Sequence, residues 1–379
     1  MSFLHYYERS APTGMRKLLY VHWPLVIVLV TIIAIGLVML YSVAGGSLYP
    51  WSYAQGERAV IGIILMFIVA LIPIGFWRST SILGYLFGLA LLVYVELFGQ
   101  VGMGAQRWIE LGGFRLQPSE LMKITVVVLL AAYYEWLPPT KTSHPFWVIL
   151  PVVLILIPVG LVFKQPDLGT GLLILMAGGI VMFVAGVHWG YFAGVATLAI
   201  SAIIAIFQTR GTDYQFLKDY QYRRIDTFLD PANDPLGAGY HITQSQIALG
   251  SGGWSGRGFM QGTQSRLNFL PEKHTDFIFT TLAEEFGMMG GLVMLFLYGL
   301  ILVFCLIAAM QTTDRFSALL IKGISINFFL YYAINMAMVM GMAPVVGVPL
   351  PLVSYGGSAM LVLLGGFGLI QSAHIHRPR

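Results

Sequence analysis

Charged side chains are scarce in this sequence: Asp, Glu, Lys and Arg make up 10% of 379 residues, against 57% hydrophobic ones. A soluble domain carries about 25% charged residues, so that class is excluded. Cysteine is nearly absent. The one thiol, Cys305, lies within an apolar run, so there is no disulfide framework and no mark of a redox compartment. A net charge of +4 is small and spread out, and no basic stripe exists to hold nucleic acid. The glycines of 250–258 match neither G-x-G-x-x-G nor a Walker loop, and no strand pattern precedes them. Tandem repeats and low-complexity tails are missing too.

What fills the chain is apolar runs of about 18 or more residues, the length that crosses a bilayer as helix. Ten spans are expected, near 24–41, 59–76, 80–97, 118–136, 146–163, 169–186, 190–208, 287–310, 317–340 and 358–374. A tail with Arg9, Arg16 and Lys17 precedes the first, which reads as an uncleaved span rather than a signal peptide. Basic residues in short connectors and tails place both termini in the cytoplasm. The expected architecture is therefore an all-α polytopic membrane protein, one domain over 1–379, with a large extracytoplasmic loop at 209–275 between spans seven and eight. That loop holds an amphipathic stretch from Phe216 to Leu229, turn chemistry at 230–237 and a short helix from Tyr240 to Leu249. Its glycines suggest a flexible loop that lets backbone approach something closely, and the whole loop reads as a mobile cover.

Polar chemistry gathers at the outer ends of the spans. The stretch 270–287, LPEKHTDFIFTTLAEEFG, closes the long polar segment and opens span eight. Helical spacing from Asp276 would put Thr280 and Glu284 on its face. The simpler reading is a helix start with acids near its positive dipole end. Glu120 and Lys123 stand three apart after Gln117-Pro118-Ser119, with Pro118 suited to a first helical position. They form either an internal ion pair or a polar wall facing substrate. Asn327 and Asn335 are expected to bond across helices. Segments 104–108, 115–120, 164–169 and 347–358 each join Pro or Gly to polar groups at a membrane boundary, and together they would line one outward cavity.

At these residues the sequence resembles the SEDS family of bacterial membrane proteins (shape, elongation, division and sporulation). The matching pieces are GAQRW at 104–108, QPSELMK at 117–123, KQPDLGT at 164–170, DPLGAGYHITQSQIALGSGG at 234–253, FLPEKHTDFIF at 269–279, LAEEFG at 282–287 and GVPLPLVSYGGS at 347–358. They run in order along nearly the whole chain. The resemblance implies a ten-helix peptidoglycan glycosyltransferase of the cytoplasmic membrane, working at the outer face on lipid II during cell elongation. It places the family's essential aspartate on Asp276. It also implies a class B penicillin-binding transpeptidase as partner, alongside the elongation machinery and membrane lipid.

Joining C1 of one MurNAc to the 4-hydroxyl of the next GlcNAc needs one base, and Asp276 suits by type and place. The leaving pyrophosphate calls for positive charge, for which Arg107, Arg115, Lys123, Arg223, Arg266 and Lys273 are candidates. Gln117, Ser119, Glu120 and Ser354 complete the expected substrate-binding set. A divalent cation, Mg or Mn, shared by Asp276 and pyrophosphate stays open. A lipid II flippase would use the same cavity but continue its charges to the cytoplasmic side. A scaffold that only activates the transpeptidase would leave Asp276 without a chemical task.

Overall fold

The computed structural model describes residues 14–102, 105–111, 114–212, 215, 222, 226–227, 229–230, 238–263, 273–345 and 347–377. Ten long helices correspond to the ten expected spans. They are α1 (Trp23–Val43), α2 (Trp51–Leu71), α4 (Ser81–Phe98), α5 (Pro118–Trp136), α6 (Pro145–Lys164), α7 (Leu168–Val184), α8 (Trp189–Gln208), α10 (Ile278–Met310), α11 (Arg315–Val339) and α12 (Gly357–Ile375). Short α3 (Ile74–Ser79) and α9 (Ala238–Gly252) lie between them. Eight of the ten are long and apolar enough to cross a membrane. Of the other two, α5 carries Glu120, Lys123 and Glu135, and α7 has 17 residues. His22 exchanges hydrogen bonds with Gln371, so the chain's two ends meet at one end of the bundle. The opposite end carries the longer connections.

The centre of the bundle is α5, α11 and α12, which bury most of their length, and α10 crosses α11 beside them. Close helix approach in a membrane depends on small residues. Gly62 and Gly368 provide it between α2 and α12: a methyl at Gly62 would meet Leu364 at 2.5 Å, and one at Gly368 the Met66 carbonyl at 2.7 Å. In contrast, α8 buries none of its residues and shows its apolar surface outward. Span two begins eight residues earlier than hydropathy suggested, so Arg58 is helical rather than in a connector. Around the expected irregular loops 104–108 and 115–120, the segments 100–102, 105–111 and 114–116 form a small antiparallel meander, β1–β2–β3. Glu110 pairs in register with Arg115. Strands of three residues are too short for alternation to be visible in the sequence.

Helix α10 breaks at Gly287 (φ 65°, ψ −162°), so the amides of Met288 and Met289 no longer reach the carbonyls of Glu284 and Glu285. Such groups must be paired elsewhere. The segment after α9 supplies all four partners. Met288 N–H donates to the Gly253 carbonyl (2.9 Å) and Met289 N–H to Trp254 (3.2 Å), while Arg257 and Gly258 N–H donate to the Glu284 and Glu285 carbonyls (both 3.0 Å). Glycine is required for that approach: a methyl at Gly256 would stand 2.1 Å from the Glu285 oxygen, and one at Gly252 2.1 Å from the Ala283 oxygen. Thr263 adds a bond to Glu284, and Ser42 of α1 one to Glu285. Helix α9 is tied to the same place, with Ser245 bonded to Thr280 (3.0 Å) and the Val339 carbonyl (2.8 Å). Residues 238–263 are thus docked on α10 and α11, and the glycines provide the close backbone approach expected of them. The amphipathic stretch 216–229 falls mostly outside the described residues.

This docking gives a paired test. Gly256→Ala (φ +79° in the native chain) is expected to lower stability by about 1–3 kcal/mol, from backbone strain and overlap. Gly250→Ala, with nothing within 4 Å of the added methyl, should be neutral or stabilising by about 0.5–1 kcal/mol. Thermal unfolding of the detergent-solubilised variants, read side by side, checks both.

Candidate active site

Asp276 does not lie on a helix face with Thr280 and Glu284, as the spacing suggested. It sits in a turn, residues 273–277, one step before α10 begins, while Thr280 and Glu284 are wholly buried beneath α9 and the glycine segment. The turn is held by its main chain. The carbonyl of His274 accepts from Tyr355 N–H (2.9 Å), that of Thr275 from Ser354 Oγ (2.6 Å), and that of Asp276 from Asn335 Nδ2 (2.9 Å). Three consecutive oxygens thus point inward to fixed donors. The Asp276 carboxylate leaves on another side, half-buried, with Oδ2 3.7 Å from where a methyl at Gly347 would stand. Lys273, three residues earlier, is buried, and burial pushes its ammonium below the usual lysine range. Arrival of an anion would relieve that cost.

The loop after α11 is the other half of the frame. Ser354 Oγ also accepts from Leu350 N–H (2.8 Å), so its hydroxyl is engaged in holding the turn. Gln55 of α2, buried, donates to the Ser354 carbonyl (2.9 Å). The His274 ring stacks on Trp51 (4.6 Å between centroids, 15° between planes), with Tyr355 next to it and the Arg58 guanidinium 4.8 Å from the Tyr355 ring centre. Sequence reading missed Trp51, Gln55 and Arg58, because no motif places α2 against residues 274 and 355.

Glu120 and Lys123 form the expected ion pair (2.8 Å), both buried. Tyr331 of α11 completes it by donating to the second Glu120 oxygen and contacting the Lys123 ammonium. Tyr331 and Asn335 are four residues apart, hence neighbours on one face of α11. One helical turn therefore links the buried ion pair to the turn bearing Asp276. Arg107, on β2, spans the 165–167 turn, with bonds to the Gln165 (3.1 Å) and Pro166 (2.5 Å) carbonyls and 3.8 Å from the Asp167 carboxylate. Gln117 donates to that same carboxylate (2.9 Å), whose other oxygen caps α7 at Thr170. Ser119 is buried beside Glu120, and Arg115 stays at the surface with Glu110 (3.2 Å). Arg223 and Arg266 lie outside the described residues. The predicted residues therefore fall into three groups, around 276, 120 and 167, with Arg115 apart from them.

A family model described as "Cell cycle protein", covering FtsW, RodA and SpoVE, matches residues 22–379. The chain belongs to this family. It is 41% identical to the peptidoglycan glycosyltransferase MrdB of Escherichia coli K12 over 93% of both chains, and 32% identical to stage V sporulation protein E of Bacillus subtilis over 91% of this chain and 94% of that one. Among solved structures, its fold matches a chain of a peptidoglycan synthase complex described as coordinating polymerization and crosslinking. The TM-score there is 0.81 at 31% identity, covering 93% of this chain and 97% of the other. The rod shape determining protein RodA of Thermus thermophilus matches with TM-score 0.71 at 28% identity, covering 94% and 97%. Like these family members, the chain is a multi-pass membrane protein.

The buried pair invites a double-mutant cycle. Lys123→Met alone leaves Glu120 uncompensated and is expected to cost roughly 3–5 kcal/mol, whereas Glu120→Gln with Lys123→Met should cost distinctly less than the sum of the singles. Additive losses in unfolding free energy would show that the two charges are not coupled.

Proposed function

We propose that this chain is a peptidoglycan glycosyltransferase that polymerises lipid II at the outer face of the bacterial cytoplasmic membrane during elongation. The observation that carries this reading is the Asp276 turn: its main chain is tied to α11 and the 347–355 loop, while its carboxylate is half-buried just before α10 begins. A fixed carboxylate at that depth suits general base catalysis, which typically contributes about 10²–10⁴-fold.

In the reaction, Asp276 takes the proton of the acceptor's GlcNAc 4-hydroxyl as that oxygen bonds to C1 of the donor MurNAc. The C1–O bond to undecaprenyl pyrophosphate breaks with its electron pair on the leaving oxygen, and α linkage inverts to β. Lys273 is the nearest cation in sequence to offer the pyrophosphate, and its depressed basicity means that a bound anion would raise it back. Lys123 is held by Glu120 and Tyr331, so its role toward substrate would require that cluster to open. A divalent cation, Mg or Mn, fits here only with help from substrate: among the described residues no three carboxylate, imidazole or thiol groups converge. Asp276 and pyrophosphate oxygens would share it, and it would neutralise charge on the leaving group. A class B penicillin-binding transpeptidase is the partner this reading requires, cross-linking what the chain polymerises.

Purified full-length protein with lipid II in detergent is the decisive assay. Glycan chains are expected, and Asp276→Asn, which keeps size but removes the basic oxygen, should reduce their synthesis below detection with the protein still folded. A flippase would translocate lipid II in vesicles without making polymer, and near-normal polymer from Asp276→Asn would remove Asp276 as the base.

A further inference from the structure

Asn335 is wholly buried on α11, one turn from Tyr331. Its amide nitrogen is 2.9 Å from the Asp276 carbonyl oxygen and 2.7 Å from that of Val348. An amide NH₂ has two protons, and both are spent, one on the turn and one on the loop. Reversing the amide would set its oxygen against two carbonyls, so the network fixes its orientation. Oδ1 is left buried with no hydrogen-bond partner among the described residues. Such an orphan is costly, and a side chain kept only to stabilise α11 would not carry it. What is retained is the pair of donors, and they bond loops rather than another helix.

The geometry of the turn says what those donors control. The peptide plane before Cα of Asp276 carries the Thr275 oxygen, held by Ser354 Oγ. The plane after it carries the Asp276 oxygen, held by Asn335. With both planes fixed, φ and ψ of Asp276 are set, and so is the direction of its Cα–Cβ bond. We propose that Asn335 is a positioning residue that, together with Ser354, aims the Asp276 carboxylate at the acceptor hydroxyl. The proposal rests on Asp276 acting as the base. It also assigns Ser354 to the frame rather than to substrate binding, since its hydroxyl donates to Thr275 and accepts from Leu350.

The test uses full-length Asn335→Leu, which keeps the branched heavy-atom shape and removes both donors, and Ser354→Ala, which frees the other plane. Rates of lipid II polymerisation are measured across substrate concentration and normalised to the folded fraction from size exclusion and thermal melting. A misplacement near 1 Å costs about 10²-fold in rate, so kcat is expected to fall about 100-fold in each variant with KM within twofold of the parent. Loss of folded protein alone would leave the normalised kcat unchanged. A normalised kcat within threefold of the parent for Asn335→Leu overturns the proposal, as does a loss carried by KM, which would mean contact with substrate. If Asn335→Leu does not accumulate, the kcat–KM split in Ser354→Ala and Asn335→Ala decides in the same way. Failure of the base reading is separate: it appears as normal polymerisation by Asp276→Asn, whatever the Asn335 variants do.

Discussion

Everything around Asp276 at this end of the bundle depends on one obligation: main-chain N–H and C=O groups near the bilayer must find partners within the protein. A continuous helix meets it internally. Here α10 is interrupted at Gly287 and preceded by a turn, so both irregular places need donors and acceptors from elsewhere. The glycine segment answers the break, and Tyr355, Ser354 and Asn335 answer the turn. Irregular backbone is where a reactive carboxylate can be presented, and its outside partners are what make the presentation exact enough for chemistry. Structural satisfaction and positioning are then the same set of bonds.

Charge is handled by the same economy. Lys123, Glu120 and Tyr331 are buried as a closed cluster between the start of α5 and α11, and Arg107, Asp167 and Gln117 close another across the β-meander and α7. Each cluster spends its donors inside the protein. Asp276 and Lys273 lie elsewhere, in the turn just before α10. Helix α11 connects the layers, with Tyr331 on the ion pair and Asn335 on the turn, so a shift of that helix would be felt by both.

Much of this was legible in the amino-acid order. Apolar runs marked ten spans because each must exceed a membrane's thickness, and the helices coincide with them apart from the early starts of α2 and α10. Asp276, and the Glu120–Lys123 pair with its three-residue spacing, stood out because charge inside an apolar chain is rare and costly. The meander was not legible, since β1 and β3, the partners of the seven-residue β2, are three residues each and show no period. Nor was it legible what the glycines at 252, 256 and 262 approach. Their spacing permits either slackness or close approach, and only the carbonyls of Ala283 and Glu285 and the carboxylate of Glu284 decide between them.

The sequence by itself therefore determined that the chain crosses a membrane many times, which family it resembles, and which carboxylate to examine. The crossings follow from composition and local pattern, which a bilayer constrains strongly, whereas the choice of Asp276 follows from the motifs that carry the family resemblance. Tertiary structure alone decided what surrounds that carboxylate: that Asn335, 59 residues away, bonds its carbonyl, that Ser354 holds the peptide before it, and that Trp51 stacks on its neighbour His274. Those contacts join segments far apart in the chain, and hydrogen-bond partners chosen by packing leave no periodic signal in either segment alone.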